Sequence, residues 1–287
     1  MDKAEKETES AKRVQIGSSE QQTLTLQQAL DLAVQHHTAG DLSKAESIYQ
    51  QILQTDPNHS ETLHLLGVIS YQKGENERAV DLITKAINIK PDYPEAHSNL
   101  GAALKELGRP EEAIACYHKA LSIKPDYAEA HNNLGLALQK LRKLEEAIAS
   151  HHKALTIKPN YAKAHNDLGN ALKNLGRLDE AMASGHRALD IKPDYPEAHN
   201  SLAIVLNSSG RRSEALEHWN KGLELERGDN PINSQHKSFQ FITRAKINHD
   251  IEQFRYLASQ EHQTDRFLTF AKMYEDVERE IEWPSDD

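Results

Sequence analysis

Residues 123–135 read IKPDYAEAHNNLG, and near copies stand at 89–101 (IKPDYPEAHSNLG), 157–169 (IKPNYAKAHNDLG) and 191–203 (IKPDYPEAHNSLA). Each copy carries one histidine, and His97, His131, His165 and His199 follow one another at intervals of 34 residues. Self-similarity at a fixed period of this length marks an array of supersecondary units, each too thin to bury its own apolar face. Matching the small residue of the second half of the unit gives Ala45, Ala79, Ala113, Ala147, Ala181 and Ala215. That makes six units, beginning near 26, 60, 94, 128, 162 and 196.

Local chemistry predicts two helices per unit. In the third, a first helix is expected over 92–107, opened by the capping-box-like Asp92-x-x-Glu95, with Asp126/Glu129 and Asp194/Glu197 repeating the pattern. Gly108 permits the left-handed backbone that ends a helix, and Pro110 opens the second helix with Glu111 and Glu112 in its first turn. Pro125 then stops it after Lys124. Gly101 and Ala113 are small because the paired helices approach closely there, whereas Gly185, in an aromatic slot, predicts a loosely packed spot in mid-array. The end units degrade, with Ala29 and His36 in aromatic slots of the first, and Gly222 in place of the second alanine and Arg227 in place of proline in the sixth.

Within 94–127 the frame residues His97, Leu100, Gly101, Leu104, Ala113, Tyr117, Ala120 and Pro125 match the 34-residue helical motif slot by slot, apart from His where Trp is usual. The chain thus resembles the tetratricopeptide repeat (TPR) family. The expected fold is all-α: a right-handed α-solenoid of about six tandem helix-turn-helix repeats with C-terminal capping helices. Its concave groove would be lined by the first helices.

Residues 24–229 make up the expected solenoid. Residues 1–23 are polar, have no signal-like apolar run, and read as a disordered arm. Residues 230–287 contain all five phenylalanines, among them Phe267 and Phe270 in helical period with Met273, Tyr274, Val277 and Ile281. They read as a helical cap, or as a connector to a further domain. A formal net charge of -10 and the lack of any Lys/Arg block argue against nucleic acid as a partner. No stretch reaches transmembrane length, so no membrane partner is expected. One cysteine, Cys116, forms neither an internal disulfide nor a multi-cysteine zinc site. A cytoplasmic chain fits these features.

The histidine column is not a metal site. Equivalent helices in adjacent repeats lie about 10 Å apart, while metal–nitrogen bonds span about 2 Å, so these side chains cannot converge on one ion and a packing role is expected. A second column, His118, His152 and His186, reads as part of a solvated face, and a pH-sensitive array of imidazoles titrating near pH 6 is the alternative. Positions 2, 5, 6, 9, 12 and 13 of each repeat should border the groove. They supply Asn132, Asn166 and Asn200 at position 5, Asn99, Asn133 and Asp167 at position 6, Asn170 at position 9, and Lys105 and Lys173 at position 12, beside Lys140. An amide is the complement of a peptide group, and an extended chain advances about 3.3 Å per residue. One rung per repeat would therefore meet one peptide unit in three, while the lysines attract acidic side chains. The bland alternative is that these amides bond neighbouring turns and hold the repeats together.

AHNNLG with EEAIA and KALxIKPDYAEAH is similar to the repeat arm of protein O-GlcNAc transferases. That resemblance implies an asparagine-lined superhelix holding substrate proteins, carried here by Asn99 and Asn133 and broken at Asp167 and Ser201. The glycosyltransferase domain is missing. A chaperone carboxylate clamp is disfavoured, since position 5 holds no Lys and position 2 is Glu in four of the six repeats. No phosphate loop or H-E-x-x-H occurs, and His249-Asp250 lacks the spacer of a His-x-Asp iron pair. The sequence therefore reads as a non-enzymatic scaffold without cofactors that binds an extended protein or peptide segment. The alternative is the substrate-recruiting arm of an O-GlcNAc-type glycosyltransferase or iron/2-oxoglutarate oxygenase, for which HDIEQFRYLAS resembles a linker.

Overall fold

The computed structural model describes residues 13–16 and 22–229. Two short strands, β1 (Arg13–Ile16) and β2 (Gln22–Thr25), precede twelve helices. The helices pair as α1 (Leu26–Thr38) with α2 (Leu42–Thr55), α3 (Ser60–Gln72) with α4 (Asn76–Ile89), and α5 (Pro94–Glu106) with α6 (Pro110–Ile123). Then follow α7 (Ala128–Lys140) with α8 (Leu144–Ile157), α9 (Ala162–Asn174) with α10 (Leu178–Ile191), and α11 (Pro196–Ser208) with α12 (Arg212–Asp229). The odd-numbered members are the A helices and the even-numbered ones the B helices of six consecutive repeats. The described residues thus form an all-α helical repeat, as expected.

Contacts divide the chain into a unit ending at Trp219 and a second beginning at Asn220. The cap expected over 230–287 lies outside the described residues.

Repeats 2 to 4 are held at a close approach between position 8 of the A helix and position 24 of the B helix. A methyl group on Gly67 would stand 2.6 Å from Cγ1 of Ile83, one on Gly101 2.8 Å from Cε1 of Tyr117, and one on Gly135 2.5 Å from Cε1 of His151. The alanines at position 20 are fully buried in all six repeats, so the backbones meet over small side chains and the larger ones interdigitate around them. Gly185 was expected to leave a loose spot. Instead Leu202 of the next repeat moves in, its Cδ1 3.1 Å from where a Gly185 Cβ would stand.

Two further expectations need correction. The A helices start two residues later than the capping-box reading placed them: α5 begins at Pro94 with Tyr93 as N-cap and no side-chain cap bond. Asp92 stays exposed, and Tyr93 instead lies beneath the Lys90 ammonium, 4.4 Å from the ring centroid. The arm assigned as disordered also contains the antiparallel pair β1–β2, with Val14 opposite Leu24. Val14 is 1% exposed and packs with Leu26, Ala29, Leu30 and Tyr49 of the first repeat. The overall polarity of the arm hid a short apolar alternation, and the open end of an array needs such a cover.

The turn between A and B helices uses a left-handed glycine at Gly40, Gly74, Gly108, Gly176 and Gly210, with φ between 73° and 84°. In the fourth repeat Arg142 takes this place at φ 61°. A side chain there costs roughly 1–2 kcal/mol, and glycine gives part of that back through unfolded-chain entropy. Arg142→Gly should therefore raise stability by about 0.5–1 kcal/mol, seen as a higher urea midpoint at unchanged m-value. Gly135→Ala should cost about 1–3 kcal/mol by overpacking against the His151 ring. Gly169→Ala should cost less in the same assay, because its nearest neighbours are Ala181 O at 3.2 Å and Ser184 Cβ at 3.6 Å.

Candidate functional site

The layer of A helices carries every residue that the sequence assigned to binding, and the turn before each A helix sets its orientation. In the four near-identical turns the histidine Nε2 donates to the proline carbonyl six residues back. His97 meets Pro91 O at 2.9 Å, and His131, His165 and His199 meet Pro125, Pro159 and Pro193 O at 3.0 Å. The lysine just before each proline sits over the tyrosine of the same turn: Lys124, Lys158 and Lys192 are 4.8, 4.9 and 4.8 Å from the Tyr127, Tyr161 and Tyr195 centroids. The histidine column is therefore a latch on the turn. Burial lowers the imidazole pKa of His131 and His165 from its ordinary value.

At the last repeat the latch gains a neighbour, with His199 Nδ1 2.9 Å from His218 Nδ1. Since His199 Nε2 already donates to Pro193, His218 is the donor of this bond. Among the described residues no three His, Cys, Asp or Glu groups are placed to hold a metal ion.

The amides divide into two groups. One group is buried within the array. Asn132 is fully buried, its Nδ2 donating to Asp167 Oδ2 at 2.7 Å and its Oδ1 accepting from His151 Nδ1 at 2.8 Å. Gln139 Nε2 lies 3.0 Å from His151 Nε2. Asp167, Asn166 and Asn200 are buried as well, and Asn166 Oδ1 has no hydrogen-bond partner among the described residues. Burial raises the Asp167 carboxyl pKa, against the Asn132 hydrogen bond and the charges of Lys163 and Lys105.

The other group stays partly exposed: Asn99, Asn133 and Asn170, with Lys105 and Lys173 half-buried and Lys140 exposed. Asn99 still gives a hydrogen to His64 Nε2 at 2.9 Å, leaving His64 Nδ1–H for the Tyr93 hydroxyl at 2.9 Å. Burial holds His64 neutral, with its pKa at about 4. Asn170 donates to Ser201 Oγ at 3.3 Å, and Lys105 pairs with Glu106 at 3.1 Å.

Position 9 also supplies a track that sequence reasoning missed. Val34, Val68, Ala102, Leu136 and Ile204 are each half-buried, interrupted only by Asn170. Its 34-residue period was visible, but the amides beside it drew the reading toward a purely polar face.

No curated protein sequence matches the chain. Profiles described as TPR repeat match residues 67–108, 103–141 and 169–210, and profiles described as tetratricopeptide repeat match 128–161 and 153–183. Together they span half of the chain. Among solved structures, TTC0263, a thermophilic TPR protein of Thermus thermophilus, is 25% identical over 63% of this chain and 99% of its own, with a TM-score of 0.56. MamA is 27% identical over 57% of this chain and 95% of its own, at a TM-score of 0.50. PilW, a type IV pilus biogenesis factor, is 21% identical and shares the fold over 75% of this chain and 97% of its own, at 0.65. No helix among the described residues is long and apolar enough to cross a membrane. Proteins built from such repeats are generally protein-interaction scaffolds. The latched turns, the small-residue approaches and the matched profiles agree: the chain belongs to the tetratricopeptide repeat family.

Proposed function

We propose that the A-helix face of repeats 3 to 5 is a groove that holds an extended segment of a partner protein. The observation that carries this reading is the set of accessible amides Asn99, Asn133 and Asn170 on three consecutive A helices beside the half-exposed track of Ala102 and Leu136. An amide offers a donor and an acceptor to a peptide backbone, and the apolar track accepts side chains without demanding a particular one. Lys105, Lys140 and Lys173 border the face and favour carboxylates in the segment. Asn132, Asn166, Asp167 and Asn200, assigned to the groove from sequence, serve this reading only indirectly, because they are buried within the array.

The test separates grip from frame. Segments selected from a displayed random-peptide library are measured against the wild-type chain, against Asn99→Ala/Asn133→Ala/Asn170→Ala, and against Asn132→Ala. The triple variant should keep its helical content and lose at least tenfold in affinity, about 1.4 kcal/mol or more. Undiminished binding by the folded triple variant would falsify the groove assignment. Asn132→Ala should act chiefly on stability, by about 1–3 kcal/mol, since it leaves His151 and Asp167 without their partner.

A further inference from the structure

The seam between repeats 4 and 5 carries a connected network of four polar side chains. Position 24, Tyr117 in the third repeat, is His151 in the fourth, and its ring is fully buried against Gly135. Four side chains close a ring of hydrogen bonds that begins and ends on Asp167. Asn132 Nδ2 donates to Asp167 Oδ2 at 2.7 Å, His151 Nδ1 bonds Asn132 Oδ1 at 2.8 Å, and Gln139 Nε2 meets His151 Nε2 at 3.0 Å and the Asp167 carbonyl at 3.5 Å.

Only one proton arrangement satisfies this ring. A backbone carbonyl can only accept, so the nitrogen of Gln139 faces it, and the same nitrogen donates to His151 Nε2. Nε2 is therefore bare and Nδ1 carries the hydrogen given to Asn132. A second proton on the imidazole would sit on Nε2 and face the Gln139 amino group, donor against donor, inside the core.

We propose that this ring is an acid-operated joint between repeats 4 and 5, closed while His151 is neutral and opened when its ring takes a second proton. Opening frees α7 from α9. Its effect on a bound segment rests on the groove reading above; the joint itself does not.

The titratable and charged groups around the ring come from every neighbouring element. His152 lies on the same helix, Asp167 and Lys163 on α9, and Lys105 on α5, while Tyr161 and Tyr195 precede α9 and α11. Burial, with a smaller push from His152, holds His151 at about 4. The unfolded or opened chain takes up the proton near the ordinary histidine value of about 6.5. Stability from this group is thus present above that value and is lost as pH falls from about 6.5 to 4. Asp167 works in the opposite direction, since its raised pKa means that acid neutralises a buried charge. Both tyrosines, pushed up to about 12, stay neutral throughout.

Global melting cannot isolate the joint, because His64, between repeats 2 and 3, is likewise held at about 4. Hydrogen exchange resolved by segment can, on the full chain at pH 7 and pH 5 after correction for intrinsic rates. Helices α7 to α9 should exchange about tenfold faster or more at pH 5, with α6 changing less. His151→Tyr, which follows the third repeat's use of Tyr117 at this position, should abolish that local response. Gln139→Glu supplies an acceptor for the second proton, so it should also suppress the opening and raise the His151 pKa followed by NMR. An equal response across all repeats, a local response that survives His151→Tyr, or a wild-type His151 titrating near 6.5 would each overturn the proposal.

Discussion

The distance between the two helices of a repeat is fixed by what stands at position 8. With glycine at Gly67, Gly101 and Gly135, the ring or branched chain of position 24 lies directly on the A-helix backbone. That contact allows a pair with little apolar surface of its own to hold together, and stacking of pairs supplies the remainder of the core. It also forces position 24 to be buried whatever its chemistry. A histidine placed there must find partners within the array, and His151 finds them in Asn132 and Gln139. The polar seam follows from the close approach.

Periodicity made the frame legible from sequence alone. A residue that recurs every 34 positions has a structural duty in every repeat, and the histidine column proved to have one in its bond to the proline carbonyl. Features that occur once were harder to read. Arg142 stands where five other repeats have glycine, and Val14 is one apolar residue in a polar arm. The filling of the Gly185 gap by Leu202 depends on a neighbour seventeen residues away that looks like any other leucine of the frame.

The candidate site was less legible because residue type does not reveal facing. Asn132 and Asn133 are adjacent amides, about 100° apart around a helix. One is fully buried and bonded to residues 19 and 35 positions away, while the other is partly exposed. Nothing in the dipeptide distinguishes them; their partners do, and Asp167 read from sequence only as a break in the asparagine pattern. The departures from consensus were the informative positions. A buried polar network of this kind contributes modestly to net stability, but each member is costly to leave unmatched.

The closed ring at Asn132, Gln139, His151 and Asp167 has a meaning for how such an array can change over generations. Duplication produces interchangeable modules, and an apolar seam tolerates any neighbour of similar shape. Here repeat 4 carries the imidazole and both amides while repeat 5 carries the carboxylate. Neither module can be deleted, copied or moved past the other without stranding a buried polar group. The seam gives this part of the chain an address, turning two copies of one unit into a pair with a fixed order.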